Sequence, residues 1–448
     1  MIHDLDETKS VAFVTMGCAK NEVDSADMAE RLSAAGYSIS DTPENADVVV
    51  VNTCSFIQAA TEESIDAILE IANLDSISSG NAHLVVSGCM PARYGDELAS
   101  ELSEAGAFVP CSKEDDIVSI VDDVLGVSRS SFAVPAAAGV SSNGGFHVLG
   151  ASAYVKISDG CDRFCAYCAI PYIRGRYHSF TYDAIRANVA KRVSEGAREI
   201  VLIAQDTGRW GDDFDEPLSL AWLMSCLAQE FSDTWFRVMY IQPEGVTDEL
   251  IGTVAEYPNI CNYFDLPFQH VDADILRSMN RKGSADDFNA LIARIRNRIP
   301  NATVRTTLIA GYPGETDGQF EDLCDFVADS DLDYIGTFAY SREEGTAAYD
   351  LPDQVDEDEK AERAQRLRDL ADDVCVPRVA KRVGDIMDVL ICGREEDGQL
   401  FGRAMCQAPD VDGVTYLDDS AGDVGDIVKV EIDDTLLYEM EGTVRHDG

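Results

Sequence analysis

Short, unbroken apolar runs punctuate the first quarter of the chain, at residues 11–14, 48–51 and 84–86. They lack the alternation of a half-exposed strand, so they predict parallel strands buried on both faces. Between them, residues 24–35 and 62–71 carry apolar side chains at helical spacing, and Gly36 ends the first of these stretches. Such alternation predicts a doubly wound βα domain over residues 9–126. Residues 127–150 are Ser, Gly, Ala and Pro without periodicity and read as a linker.

From 151 to 377 the βα alternation resumes. Strands are expected at 154–157, 200–204, 236–241, 263–266, 303–309 and 334–340. Helices are expected at 287–298 and at the charged stretch 357–376, stopped by Pro377. Six βα units fall short of a closed eight-stranded barrel, so the reading is a partial (βα)6 barrel. In the last segment, 380–448, short strand-like runs at 387–391, 400–405, 414–417 and 427–432 are cut by Gly and Asp turns. That pattern predicts a small five-stranded β-barrel of the oligonucleotide-fold type. The fold class is therefore α/β with a small β-barrel appended.

Composition narrows the function. A chain of 448 residues that is 46% hydrophobic can fill the cores of two or three domains. No segment approaches the roughly 20 apolar residues needed to span a bilayer. The acidic opening, Met1 to Glu7, lacks the basic-then-apolar form of a signal peptide. A cytoplasmic protein without membrane contact is expected. The 13 cysteines suit a reducing compartment, where thiols remain available to metal. Against 82 acidic side chains stand 35 basic ones, a formal charge of −47. A field of that sign repels phosphate backbones and attracts basic partners; a plainly solvated acidic surface is the alternative.

Cys161, Cys165 and Cys168 form C-x3-C-x2-C in Gly160-Cys161-Asp162-Arg163-Phe164-Cys165-Ala166-Tyr167-Cys168. Three thiolates on one loop can hold three corners of a cubane cluster and leave the fourth iron open to a small chelating molecule. Structural zinc takes four ligands, commonly as two C-x2-C pairs, and no second pair is present. The loop follows the first strand of the predicted barrel, so it lies at the carboxyl mouth, where barrel enzymes place their chemistry.

A second set is less obvious. Cys18, Cys54 and Cys89 each directly follow a predicted strand, separated by 36 and 35 residues, about one βα unit. Three parallel strands would present them along one carboxyl edge, where doubly wound folds bind ligands. Gly17 and Gly88 give the backbone room for a close approach. Singly, each cysteine reads as a small buried residue; the repeated placement favours a shared cluster. Cys111, Cys226, Cys261, Cys324, Cys375, Cys392 and Cys406 show no such pattern and read as core or incidental.

C-x3-C-x2-C after the first barrel strand resembles the radical S-adenosylmethionine signature. Together with the three-cysteine βα domain and the small C-terminal barrel, which resembles a TRAM domain, it makes nearly the whole chain similar to the methylthiotransferase family. The resemblance implies two 4Fe-4S clusters, an auxiliary one on Cys18, Cys54 and Cys89 and a radical one on Cys161, Cys165 and Cys168. It also implies S-adenosyl-L-methionine as both methyl donor and source of a 5′-deoxyadenosyl radical. An electron donor and a sulfur source are then required partners.

The family has a branch modifying an aspartate of small-subunit ribosomal protein twelve and branches modifying tRNA. Met16-Gly17-Cys18-Ala19-Lys20-Asn21-Glu22-Val23-Asp24-Ser25, Leu266-Pro267-Phe268-Gln269-His270-Val271, Tyr340-Ser341-Arg342-Glu343-Glu344-Gly345-Thr346-Ala347 and Ala408-Pro409-Asp410-Val411-Asp412-Gly413 resemble the ribosomal branch. Ala19 departs from it, since proline is common there. Charge adds an independent argument: from residue 384 onward there are 17 acidic and 4 basic side chains. An RNA-binding barrel wants a positive groove with exposed aromatics, whereas this one would steer a Lys/Arg-rich protein. The expected partner is a basic ribosomal protein, free or in the assembled ribosome; RNA contact is secondary, and modification of a tRNA adenosine is the alternative reading.

Cofactor contacts are placed by position alone. Tyr167 lies inside the cluster loop, Gln205 and Asp206 follow the second barrel strand, and Gly311 follows a later one. Turn formation and capping explain such residues equally well. His270 reads either as a ligand contact or as a hydrogen-bonded structural histidine.

Overall fold

The computed structural model describes residues 9–127, 148–419 and 421–445. Most of the predicted linker, at 128–147, lies outside the described residues. The chain divides into two compact units. The first holds the N-terminal segment with Gly160–Asp162 and Cys168–Arg176; the second holds Val148–Asp159, Arg163–Tyr167 and everything from Tyr177 onward.

In the first unit, β1 (Ser10–Thr15), β2 (Ser38–Ser40), β3 (Val48–Thr53), β4 (His83–Gly88) and β5 (Ala105–Pro110) form one sheet in the order β2-β1-β3-β4-β5, with every pairing parallel. Helices α1 (Ala19–Ala34), α2 (Gln58–Ala72), α3 (Cys89–Glu101) and α4 (Ile117–Leu125) follow four of these strands. The alternate residues of the Val-rich strands explain the layering. Val48, Val50 and Val85 face Met28, Leu32, Ile117 and Val121, whereas Val49, Val51 and Val86 face Ile68, Ile71 and Leu98 on the opposite side. Both faces are buried, as a run without alternation requires. Strands β2 and β5 were not anticipated: Ser38–Ser40 is short and polar, and Ala105–Pro110 contains Gly106 and ends in Pro110.

In the second unit, β6 (Ser152–Lys156), β7 (Glu199–Ile203), β8 (Trp235–Val238), β9 (Tyr263–Asp265), β10 (Thr303–Ala310) and β11 (Tyr334–Ala339) run parallel in chain order, β8 and β9 being joined through a bridge from Phe236 to Ile260. This is the expected partial barrel. Strand β8 stops three residues before the predicted end because Tyr240 takes a left-handed conformation, φ 62°. The last helix of this segment runs Glu357–Ala380, so Pro377 does not end it. Ala371, Cys375 and Val379 form its buried stripe while Pro377 faces solvent. The carbonyl that loses its intrahelical donor can therefore be hydrated, and packing carries the helix onward.

A closed barrel follows, built from β12 (Ile386–Arg394), β13 (Leu400–Ala404), β14 (Thr415–Leu417), β15 (Ile427–Leu436) and β16 (Glu439–Val444). The sequence showed four of the five strands. Glu439–Val444 carries two glutamates, a glycine and a threonine, with only Met440 fully buried, and gave no apolar run. The small barrel docks at the amino ends of the partial barrel's strands. Arg403 Nη2 bonds Glu199 Oε2 and Ser152 Oγ, each at 2.6 Å, Arg237 Nη1 reaches the Met405 carbonyl at 2.9 Å, and the Tyr263 hydroxyl donates to Asp412. Glu199, Ser152 and Tyr263 are the first residues of β7, β6 and β9. Among the described residues no helix is long and apolar enough to cross a membrane.

Candidate active site

The register of the N-terminal sheet lines up its cysteines. Thr53 pairs with Gly88, so Cys54 and Cys89 each stand one residue past a paired position on neighbouring strands. Thr15 pairs with Asn52, which brings Gly17 opposite Cys54 and puts Cys18 one residue further along. Cys18 and Cys54 thereby flank the β1/β3 position where the strand order reverses, the crevice at which such sheets bind ligands. A Cβ on Gly17, at φ 100°, would lie 2.5 Å from the Cys54 Cβ; one on Gly88, at φ 95°, would lie 2.2 Å from Asn52 Oδ1. Both glycines are required by close approach as well as by backbone conformation.

Buried polar groups hold this edge. Asn21 Nδ2 donates to the Thr53 carbonyl at 2.9 Å, and Asn52 Nδ2 donates to the Asn21 carbonyl at 2.9 Å. The Cys18 thiol donates to Asn21 Oδ1 at 3.5 Å, and Ser64 Oγ bridges the Cys54 amide and carbonyl at 3.0 and 2.9 Å. Arg174 reaches in with Nη2 2.7 Å from Asp24 Oδ2, 3.3 Å from Asn21 Oδ1 and 3.9 Å from Cys89 Sγ. Burial pushes the Cys54 thiol up to about 11, with the nearby Cys89 and Cys18 adding to the rise. Cys89 is held below the usual thiol range by a hydrogen bond from Cys111 and by Arg174.

Among the described residues, no three His, Cys, Asp or Glu side chains are already drawn into metal-ligand geometry. The fit to a cluster rests on donor chemistry and placement. Three cysteines at one strand edge, two buried and one exposed, offer three soft thiolate donors with an accessible side.

The C-x3-C-x2-C loop lies between a two-residue strand at Ser158–Asp159 and the helical turn Ile170–Ile173, with all three of its cysteines partly exposed. At its start, Gly160 (φ 71°) has no space for a side chain, since a Cβ would stand 2.1 Å from the Arg176 carbonyl oxygen. Within the second unit, Asn280 Nδ2 donates to the carbonyls of Arg163 (2.8 Å) and Phe164 (3.1 Å), and the Ala166 amide donates to the Met279 carbonyl (2.9 Å). Arg281 spans from the Pro267 carbonyl at 2.5 Å to within 4.0 Å of Cys165 Sγ. Neither Asn280 nor Arg281 carries a sequence signal, because each reaches the loop from over 100 residues away.

The cofactor-contact candidates divide. Gln205 lies two residues past the end of β7, with both amide atoms buried and without a hydrogen-bond partner among the described residues. Asp206 is buried and accepts Arg163 Nε at 2.5 Å; burial raises its pKa and Arg163 opposes the rise. Tyr167 packs, partly buried, against the core of the second unit. The Gly311 amide donates to both Glu315 carboxylate oxygens, at 3.0 and 3.1 Å, and a Cβ there would stand 2.5 Å from Lys360 Cγ. His270 is fully buried, accepts from the Asp272 amide through Nδ1 and approaches Glu315 Oε2 at 3.3 Å through Nε2. Arg363 Nη1 also binds Glu315, at 2.7 Å, so His270 belongs to a structural network beneath the Gly311 loop.

Three known protein families match parts of the chain. Residues 10–109 match the model of Uncharacterized protein family UPF0004, 155–327 the Radical SAM superfamily and 383–444 the TRAM domain. A solved radical S-adenosylmethionine methyltransferase, TsrM of Kitasatospora setae, superposes with a TM-score of 0.55 at 14% identity, covering 76% of this chain and 77% of that one, which supports the fold alone. Fold and loop define a radical SAM enzyme, a class that works with an iron–sulfur cluster and S-adenosylmethionine. A protein of Trichlorobacter lovleyi named ribosomal protein uS12 methylthiotransferase RimO is 40% identical, covering 96% of this chain and 97% of its own length. Proteins of the same name from Thermosynechococcus vestitus (40%; 97% and 96%) and Clostridioides difficile (37%; 98% and 99%) are similar over the same span. The chain belongs to the RimO family of radical SAM methylthiotransferases.

Proposed function

We propose that the chain methylthiolates the β-carbon of an aspartate in ribosomal protein uS12, in the cytoplasm, using two 4Fe-4S clusters. Cys161, Cys165 and Cys168 would hold the radical cluster and leave one iron for S-adenosyl-L-methionine; Cys18, Cys54 and Cys89 would hold the auxiliary one. When bound, these groups supply one-electron cleavage of S-adenosylmethionine and a site for the sulfur to be transferred. The observation that carries the reading is the placement of two cysteine triplets, each beyond the carboxyl ends of parallel strands, in one chain of this family.

The protein's own residues do the rest. Asn280, Arg281 and the Ala166 amide fix the cysteine loop, so its thiolates are presented without a large ordering cost. The Gln205 amide is free to bind the polar part of a cofactor at the barrel mouth. The small barrel exposes Glu395, Glu396 and Asp397 in one turn, with Asp418–Asp419 and Asp433–Asp434 elsewhere. Such a surface suits a Lys/Arg-rich protein substrate and repels tRNA. Because this barrel docks at the amino ends of the strands, it favours steering and holding the substrate over touching the reacting atoms.

The test is an anaerobic single-turnover assay with reconstituted enzyme, reductant and S-adenosylmethionine, offered both a uS12 loop peptide and an unmodified tRNA. A methylthio group on an aspartate of the peptide, found by mass spectrometry, supports the proposal. A methylthio group on the tRNA alone overturns the choice of substrate. Zinc in place of iron and labile sulfide in the purified protein overturns the chemistry.

A further inference from the structure

The strand that escaped the sequence reading, β5, carries a fourth cysteine to the same edge. Gly88 pairs with Pro110, so Cys89 and Cys111 each occupy the first position past a paired residue, one strand apart. Neighbouring strands lie about 4.8 Å apart, which brings side chains at matched positions into contact. Cys111 packs against Cys89, Ala169 and Ile173. Arg174 Nη2 stands 3.9 Å from the Cys89 sulfur. Cys89 thus has the Arg174 guanidinium as a donor and the Cys111 thiol packed beside it.

We propose that Cys111 is a positioning residue of the auxiliary site: its thiol donates a hydrogen bond to the Cys89 sulfur and, with Arg174, raises the reduction potential of the cluster held there. This rests on the proposed assignment of Cys18, Cys54 and Cys89 as cluster ligands. The physical reason is charge. A donor to a thiolate ligand withdraws electron density from the iron and stabilises the more negative, reduced cluster. Cys111 acts as a donor to a ligand and not as a ligand, which leaves the fourth iron open for sulfur.

The experiment uses the full-length chain carrying Cys161→Ala, Cys165→Ala and Cys168→Ala, so that only the auxiliary cluster assembles. Iron and sulfide are counted after anaerobic reconstitution, and the midpoint potential is read by electron paramagnetic resonance during a redox titration. Cys111→Ala is expected to keep the full iron content and shift the midpoint to a more negative value. Cys111→Ser, which retains a donor, is expected to recover most of that shift and guards against a folding defect in the alanine variant. A full cluster with an unmoved midpoint in Cys111→Ala overturns the inference. Loss of one iron in that variant makes Cys111 a ligand and overturns it equally. Absence of any cluster in the parent with Cys111 intact instead overturns the assignment of Cys18, Cys54 and Cys89, and the inference with it.

Discussion

Arg174 and Asp24 form an ion pair at 2.7 Å with side chains only 2% and 1% exposed. Arg174 lies six residues beyond Cys168, and Asp24 lies on α1, which starts directly after Cys18. Removing one partner of such a pair strands a charge in the interior. Arg174→Leu is expected to destabilise the cluster-free protein by about 3–5 kcal/mol in urea unfolding, and Arg174→Leu with Asp24→Leu by much less.

The close approach at Gly88 predicts a second outcome. Gly88→Ala forces a Cβ against Asn52 Oδ1 and the Thr53 carbonyl at a backbone conformation that L-residues avoid. A loss of about 1–3 kcal/mol in stability is expected. Because Thr53 and Gly88 precede Cys54 and Cys89, iron bound after reconstitution of the radical-loop triple variant should fall as well. Gly80→Ala, also at positive φ (75°) but with nothing within 4 Å of a Cβ, separates the backbone strain from the close approach.

Glu199 gives a pH dependence. Burial alone would raise its carboxyl, but Arg403 and Arg237 outweigh burial and hold it down from 4.5 to about 2. A depressed carboxyl contributes stability that is complete above pH 4.5 and drains away as pH falls toward 2. Glu199→Gln leaves two buried arginines without their anion and is expected to cost about 3–5 kcal/mol at neutral pH. Thermal unfolding of both proteins between pH 6 and 3 should show the gap narrowing below pH 4.5.

Gln205 and Asp206 should behave differently despite being neighbours. Gln205→Ala removes an amide that has no partner among the described residues, so fold stability should hold while the KM for S-adenosylmethionine rises about tenfold, the loss of one or two hydrogen bonds. Asp206→Ala leaves Arg163 of the cysteine loop with Glu244 alone, at 3.3 Å, and should lower both stability and turnover.

Local patterning made much of this protein legible. The apolar runs identified three sheet strands, and the placement of Cys18, Cys54 and Cys89 three or four residues past them was readable because strand ends and turn glycines are local features. All six barrel strands were found for the same reason. Glu439–Val444 and Ala105–Pro110 were not, since a polar or glycine-bearing strand is held by its neighbours' hydrogen bonds and leaves no apolar signature. Missing β5 turned Cys111 into an apparently incidental cysteine.

By itself, the sequence determined the two cysteine triplets, the order of the domains and the acidity of the small barrel. These are properties of spacing and composition, which survive without coordinates. Tertiary structure alone decided that Cys111 and Arg174 meet Cys89, that Asn280 and Arg281 hold the cysteine loop, and that the small barrel docks on Glu199, Ser152 and Tyr263. Each of those contacts joins residues far apart in the chain, through strand register or a buried charge, and no local pattern encodes register between segments that meet only after folding.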